Sequence, residues 1–228
     1  MLPITDITNF TFQDYPEHTA CIIWCAGCNF RCPYCHNPEF IEGEHKYIEE
    51  NKVIDFLQSR IGLLEGVVFS GGECTLSNNL YSFAKKVKDM GFLVKIDTNG
   101  TNFELVKKMI EDNILDFVAL DYKAPKEKFK IFSKQNIFTS FENTLQYLID
   151  NNINMEIRTT IHTDLLNEED INSIIEDLDK KGYNKTYYIQ NFRNDNKRTL
   201  GNLPEQTRIL NKDLIIQKSF NIEYRNFF

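Results

Sequence analysis

The sequence has no cysteine after Cys74, although its 228 residues contain six. Five of the six lie between Cys21 and Cys35. The disulfides of a short secreted protein are usually spread along the chain. The clustering therefore argues against a disulfide framework and indicates a metal site.

Long apolar segments are also absent, since no run approaches the length that spans a bilayer. The N-terminal sequence MLPITDITNF has no basic segment followed by an apolar one, so it does not resemble a secretory signal. We therefore expect a cytoplasmic location and no membrane partner. The net charge of −7 argues against a nucleic-acid partner, because an acidic chain repels phosphate backbones.

Hydrophobic residues make up 42% of the chain and aromatic residues 13%, which is enough for a large, ring-filled core. Short apolar runs predict strands, and apolar residues at helical spacing predict the helices between them. The predicted strands cover residues 19–25, 66–70, 92–98, 115–122, 153–161 and 186–192. The predicted helices cover residues 48–60, 77–90, 102–112, 139–151 and 168–181.

This alternation of about six units predicts an α/β fold with a parallel sheet and helices outside it. The polar stretch 193–206 predicts a loop, which is followed by a last helix near 206–218 and a short terminal strand. We expect one domain over residues 1–228, with a core of about 19–192 and a C-terminal extension over 193–228. The pattern alone does not separate a barrel from an open doubly wound sheet.

Residues able to carry chemistry follow the predicted strands at their carboxyl ends, where parallel sheets bind ligands. This placement predicts one shared site. The segments are Cys28 to Cys35, Gly71 to Glu73, Asp97 to Gly100, Asp121 to Lys123 and Arg158 to His162.

The first of these segments, GCNFRCPYCHNPEF, spaces its cysteines as Cys28-x3-Cys32-x2-Cys35. Three thiolates on one loop can hold three irons of a cubane cluster and leave the fourth iron open to a ligand. Zinc would need a fourth ligand, which His36 or Cys25 could supply. A closed electron-transfer cluster would need Cys74, and buried inert thiols are a further alternative.

The CNFRCPYC segment, with Tyr34 before its third cysteine, resembles the CxxxCxxC signature of radical S-adenosylmethionine enzymes. That resemblance implies a [4Fe–4S] cluster whose open iron chelates S-adenosylmethionine and whose electron cleaves it to a 5′-deoxyadenosyl radical. SGGEC resembles the GGE motif of the same family, which contacts the amino group of the cofactor. The match covers Gly71, Gly72 and Glu73, and Cys74 stands where family members usually have proline.

DTNG (97–100) and LDYKA (120–124) resemble segments of glycyl-radical-enzyme activating proteins, and CHNP, which includes Asn37, resembles their version of the cysteine loop. The resemblance implies that Asp97 and Asp121 help to hold a monovalent cation. It also implies that Lys123 meets the cofactor carboxylate and that Thr98 lines the site.

EIRTTIH (156–162) places Arg158, Thr160 and His162 on one strand face. A buried arginine needs an anionic partner, which is either the cofactor carboxylate or an acidic neighbour. His162 is expected to be a cofactor-binding residue. Cys21 and Cys25 alternate with Ile23, so packing is the expected role of both.

Taken together, QDYP, GCNFRCPYCHNPEF, SGGE, DTNG, DYKAP and RTTIH resemble the anaerobic ribonucleoside-triphosphate reductase activating proteins. Pyruvate formate-lyase activating enzymes are close relatives. The resemblance implies a partial (β/α)6 barrel, open on one side, that abstracts a hydrogen from a glycine of a partner glycyl radical enzyme. It also implies flavodoxin or ferredoxin as electron donor. A radical enzyme for a small molecule and a non-catalytic metal-binding module remain alternatives.

Overall fold

The computed structural model describes residues 1–133, 137–193 and 198–227. Within these ranges, eight strands form one sheet whose spatial order follows the chain. The first strand is antiparallel to the second, and the others are parallel to their neighbours. The strands are β1 (Ile4–Thr11), β2 (Ala20–Cys25), β3 (Gly66–Gly71), β4 (Leu93–Thr98), β5 (Phe117–Asp121), β6 (Met155–Ile161), β7 (Thr186–Asn191) and β8 (Asn221–Arg225).

Helices join β2 to β7 in turn, and each buries an apolar stripe against the sheet. They are α1 (Glu50–Gln58), α2 (Leu80–Asp89), α3 (Phe103–Glu111), α4 (Phe138–Asp150) and α5 (Glu168–Lys180). Because β1 and β8 are the two ends of the strand order, the barrel is not closed. The predicted α/β fold, a partial barrel with helices outside, is therefore confirmed. No helix within the described ranges is long and apolar enough to cross a bilayer.

The two faces of the sheet bury different sets of residues, because successive side chains of a strand point to opposite faces. Val67 and Phe69 belong to the main core, which also contains the buried residues of the helices. Val68 belongs to a smaller cluster around Tyr15, with strand residues as its other members. Ser70 shares the face of Val68. The concave face therefore has an apolar floor, and polar residues lie at the carboxyl ends of its strands.

The strand β1 is not among the predicted elements. It is an edge strand that mixes polar with apolar residues, and only Ile4 of its eight residues is buried. It pairs with β2 and receives a hydrogen bond from the Trp24 indole, whose Nε1 lies 2.9 Å from Thr8 Oγ1. The sheet consequently extends beyond the predicted core of 19–192 at both ends.

The predicted helix near 206–218 is wrong, since the described segment contains only a short 3₁₀ turn at Lys212–Leu214. The side chain of Asn172, on α5, pairs with two main-chain groups that in a helix would bond to other main-chain groups of the segment. It donates to the Leu214 carbonyl at 2.9 Å and accepts from the Ile216 N–H at 3.0 Å. Of the predicted loop 193–206, residues 194–197 lie outside the described residues.

Glu168, at the start of α5, binds the part of the same segment that precedes the 3₁₀ turn. Its carboxylate accepts two hydrogen bonds from the Arg208 guanidinium, at 2.6 and 2.8 Å, and a third from the Asn211 N–H at 2.7 Å. The hydrogen bonds from Arg208 lower the pKa of Glu168 to about 2. The carboxylate is therefore ionised at neutral and mildly acidic pH.

We expect Glu168→Gln to lower the urea midpoint at pH 7, because the amide loses the charge and one acceptor oxygen. Since the pKa is depressed in the folded state, the contribution is complete above the unfolded pKa of about 4.3 and is lost as the pH falls toward 2. The difference from wild type should be constant between pH 7 and 5 and should shrink below about pH 4. Glu169→Gln, in the same turn but exposed, is the control. Equal effects of both variants would contradict this role of Glu168.

Candidate functional site

The cysteine loop follows β2 and is fixed by main-chain contacts to several other segments. The Gly27 N–H donates to the Phe40 carbonyl at 2.7 Å, and the Arg31 N–H donates to the Phe132 carbonyl at 2.8 Å. The Arg31 side chain turns back to the Cys28 carbonyl at 2.6 Å. The loop is therefore held without regular secondary structure.

Cys28, Cys32 and Cys35 line one cavity at the carboxyl ends of the strands. Burial raises the pKa of Cys28 to about 11 and that of Cys32 to about 12, and it also raises the pKa of Cys35. The nearby Lys123 ammonium opposes this shift at all three cysteines. Lys123 is therefore a group that favours the thiolates, the form that binds iron.

The other cysteines lie elsewhere. Cys21 and Cys25 are fully buried in the main core, which agrees with their expected packing role. Cys74 is 1% exposed, and its sulfur lies 3.7 Å from the Phe69 carbonyl oxygen and 3.6 Å from that of Asp97. Neither Cys25 nor Cys74 is among the residues that line the cavity of the three loop cysteines, so neither is placed there as a fourth ligand.

Gly71 and Gly72 lie where the end of β3 meets the base of the cysteine loop. A Cβ at Gly71 would lie 2.4 Å from the Cys25 carbonyl oxygen, and one at Gly72 would lie 2.1 Å from that of Gly27. The N–H groups of Gly72 and Glu73 donate to these two carbonyls at 2.8 and 2.7 Å. Backbone packing at this point, between the end of β3 and the segment that leads into the cysteine loop, therefore requires glycine at both positions.

The Glu73 carboxylate is buried and connects β3 to the end of β4. It accepts hydrogen bonds from Thr75 Oγ1 at 2.5 Å, Thr98 Oγ1 at 2.7 Å and the Asn99 N–H at 2.6 Å. Burial raises the pKa of Glu73, and the hydrogen bonds from Asn99, Thr75 and Thr98 oppose the rise. The Glu73 side chain therefore positions the DTNG loop. The segment Gly71 to Glu73 itself lines the cavity.

Two asparagines complete the connection between loops. Both lie in strand-end segments that the sequence indicated, but neither is among the predicted site residues. Asn99 Nδ2 donates to Asn29 Oδ1 at 2.9 Å, and Asn29 Nδ2 donates to Thr101 Oγ1 at 2.8 Å. The cysteine loop is thereby attached to the DTNG loop. The Asn-Gly turn signal marks Asn99 as a turn residue, but nothing in the sequence marks Asn29 as its partner.

Charged residues form another part of the cavity lining. Arg158 Nε lies 2.9 Å from Asp121 Oδ1, and Lys123 Nζ lies 2.9 Å from Asp121 Oδ2. Although burial raises the pKa of Asp121, Arg158 and Lys123 lower it to about 2. Burial also raises the pKa of Asp97, but the charges of Lys95 and Arg158 lower it by more, so that the pKa lies below its usual value.

Comparison with known proteins agrees with this geometry. The sequence profile of the Radical SAM superfamily matches residues 22–180, which is more than half of the chain. The chain belongs to the radical SAM superfamily. Membership implies a [4Fe–4S] cluster and S-adenosylmethionine as cofactors and places the chain among the radical SAM oxidoreductases.

Within the superfamily, the chain is similar to a protein of Methanocaldococcus jannaschii assigned as a glycyl-radical enzyme activating enzyme. The two are 37% identical over 202 residues, which cover 83% of this chain and 79% of the relative. A pyruvate formate-lyase-activating enzyme of Clostridium pasteurianum is 32% identical over 108 residues, covering 45% of this chain and 44% of the relative.

Solved structures show the same fold. The structure of anSMEcpe with bound AdoMet superposes with a TM-score of 0.59 at 16% identity, over 74% of this chain. The match covers 49% of the anSMEcpe chain, so this protein spans about half the length of that structural relative.

The donor chemistry of the cavity fits the implied cofactors. Cys28, Cys32 and Cys35 are the only thiols that line it among the described residues. No three His, Cys, Asp or Glu side chains of the described ranges converge as the ligands of a single metal ion. A cubane cluster would instead use the three thiolates on three different irons. Tyr34 lines the same cavity, and its buried hydroxyl has no hydrogen-bond partner in the described part of the chain. Since buried polar groups are normally paired, this hydroxyl points to a ligand or water.

The remaining predicted residues fall into two groups. Asn37 and Thr98 line the cavity, together with Arg158. His162 lies outside the lining: it is fully buried, its Nε2 is 3.1 Å from the Pro204 carbonyl oxygen, and its ring packs on Phe192. The position of His162 is set by its contacts with the segment after β7. Its predicted role depends on the alternation of side chains along a strand, but that strand, β6, ends at Ile161.

Asp97 and Asp121 do not fit a monovalent cation as they stand. Lys95 Nζ lies 2.6 Å from Asp97 Oδ1, and the Ser70 hydroxyl donates to Asp97 Oδ2 at 3.0 Å. With the two contacts to Asp121, all four carboxylate oxygens already accept from a protein donor.

We expect Glu73→Gln to destabilise the cofactor-free protein by about 1–3 kcal/mol, because one amide group cannot accept from Asn99 and both threonines at once. Urea unfolding at pH 7 measures this. Glu104→Gln, on the exposed side of the neighbouring helix α3, is the control and should have little effect. A Glu73→Gln protein as stable as wild type would show that the carboxylate does not hold the loops together.

Proposed function

We propose that this protein is a radical SAM activating enzyme that reductively cleaves S-adenosylmethionine and abstracts a hydrogen from a glycine of a partner glycyl radical enzyme. Anaerobic ribonucleoside-triphosphate reductase is the partner we propose. Support comes from the relatives assigned as glycyl-radical enzyme activating enzymes and from the motif set of the sequence. The specific reductase is supported by the sequence resemblance alone.

The observation that carries the proposal is one cavity shared by three thiols and by the ends of four strands. Cys28, Cys32 and Cys35 face it from the loop after β2, and Gly71 to Glu73 face it from the end of β3. Asp97 and Lys123 contribute from the ends of β4 and β5. A binding module for a metal alone would not need the last three segments.

In this proposal the three cysteines hold the cluster, and Lys123 favours their thiolates. When bound, the cluster and S-adenosylmethionine together supply an electron and a group that abstracts hydrogen. The buried walls exclude water from the cavity, which protects radical chemistry from side reactions. The protein itself orients the cofactor and keeps the charges of the cavity fixed.

The charges of the cavity suit a ligand that carries a carboxylate. Lys123 and Arg158 are the lysine and the arginine that line the cavity within the described part of the chain, and both pair with Asp121. We assign the cofactor carboxylate to these two side chains, because each has further N–H donors beside the one that Asp121 accepts. Buried charges are stabilised when they are paired, and a carboxylate is a further partner for both.

Other contacts to the cofactor follow from the lining of the cavity. We assign the backbone of Gly71, Gly72 and Glu73 to its amino group, because the Glu73 carboxylate is occupied by neighbouring loops. The unpartnered Tyr34 hydroxyl and the side chains of Asn37 and Thr98 are the other contacts we propose. His162 is assigned no direct contact.

We propose that the glycine of the partner enters from the open side of the barrel, where β1 and β8 are the two ends of the strand order. We propose a flavodoxin or ferredoxin as the electron donor, on the basis of the family resemblance. The cytoplasmic location also stays a prediction from the sequence.

Electron paramagnetic resonance tests the proposed activity. The reconstituted and reduced protein, mixed with S-adenosylmethionine and a candidate anaerobic ribonucleotide reductase, should produce the doublet of a glycyl radical. The doublet should collapse when the reductase carries glycine deuterated at Cα and should vanish when its radical glycine is replaced by alanine. A radical formed only on a pyruvate formate-lyase-like partner would make the choice of partner wrong. Cofactor cleavage with no radical on either partner would favour a small-molecule substrate.

A further inference from the structure

Lys95 is a buried lysine that does not line the cavity but pairs with Asp97, which does. Its side chain is 1% exposed, and it projects from β4 on the same face as Asp97, two residues further along. The ammonium lies 2.6 Å from Asp97 Oδ1 and 5.9 Å from the centre of the Phe117 ring. A fully buried ammonium is costly unless it is paired, so Lys95 is fixed to this carboxylate.

The position of Lys95 bears on the monovalent cation that the sequence resemblance implies at Asp97 and Asp121. A hard cation in a protein is bound by several oxygen ligands at once. Here Asp97 Oδ1 accepts from Lys95, and Asp97 Oδ2 accepts from Ser70. The two oxygens of Asp121 accept from Arg158 and Lys123.

The charge balance gives the same answer. Lys95, Arg158 and Lys123 already exceed the two aspartates by one positive charge. The neighbouring Glu156 lies 3.6 Å from Arg158 and 2.9 Å from Arg225, so adding Glu156 and Arg225 to the count leaves the excess at one. A further cation would raise the excess to two in a buried site, where like charges repel strongly.

We propose that Lys95 is a positioning residue whose ammonium takes the place of a monovalent cation at Asp97, so that the protein binds its cofactor without K⁺ or Na⁺. Lys95 keeps Asp97 ionised and fixed next to Arg158, which then presents its remaining donors to the cavity. The proposal rests on the proposed function in one respect, which is that the ligand bound by Arg158 is the carboxylate of S-adenosylmethionine.

A structural role for Lys95 without this replacement is the alternative, and the chain offers a matched control. Lys88 Nζ lies 2.7 Å from Asp116 Oδ2, and this pair joins α2 to the start of β5. Neither residue lines the cavity of the cysteines. Lys88→Met therefore removes a lysine–aspartate pair without opening a place beside the cofactor.

The first test uses the cofactor-free full chain, so that it does not depend on any enzymatic activity. Thermal unfolding is recorded in KCl and in tetramethylammonium chloride at equal ionic strength, and binding of Tl⁺ is followed by ²⁰⁵Tl NMR. Wild type should unfold at the same temperature in both salts and should not bind Tl⁺. Lys95→Met should bind Tl⁺ and gain on the order of 3 °C in KCl, while Lys88→Met should show no difference between salts.

The second test measures S-adenosylmethionine binding by the reconstituted protein in the same two salts. Wild-type affinity should be the same in both, whereas Lys95→Met should bind about tenfold more weakly in tetramethylammonium and recover in KCl. A wild-type protein that binds Tl⁺, or that needs K⁺ for its cofactor, overturns the proposal. A folded Lys95→Met protein that ignores K⁺ also overturns it. If this variant does not fold, the wild-type measurements alone decide.

Discussion

The carboxylate of Glu73 is the group on which the arrangement of the site depends. It is buried between the ends of β3 and β4 and accepts from Thr98, Thr75 and the Asn99 N–H. The Glu73 N–H donates to the Gly27 carbonyl at the base of the cysteine loop. One residue therefore connects three loops that carry all the cysteines of the cavity and one of its acidic groups. Since each donor is buried, moving any loop alone would leave polar groups unpaired.

Ion pairs fix the charged residues that line the cavity. Asp121 keeps its charge because Arg158 and Lys123 lower its pKa to about 2, despite its burial. Such a group of buried charges contributes little net stability, since the removal of its members from water offsets their attraction. Its value is that the charges are already in place when the ligand arrives, so that binding requires little reorganisation.

The sequence predicted the regular elements well, because apolar spacing reports which face of a strand or helix is buried. It failed for β1, an edge strand with few buried residues, and for 206–218, where contacts with α5 override a helical pattern. Residues from each of the predicted strand-end segments line one cavity, although His162 does not. Which atoms pair with one another is decided by packing, so the donors of Glu73 and the buried pair of Lys95 with Asp97 were beyond the sequence.

Formation of 5′-deoxyadenosine tests the central claim most directly. The protein is reconstituted anaerobically with iron and sulfide, reduced with dithionite and given S-adenosylmethionine, alongside Cys32→Ala and, as a matched control, Cys74→Ala. Wild type and Cys74→Ala should hold a cluster and form the product, whereas Cys32→Ala should lose both, because only Cys32 of these two lines the cavity. A fully loaded wild-type protein that forms no 5′-deoxyadenosine, or product formation that survives in Cys32→Ala, would contradict the account.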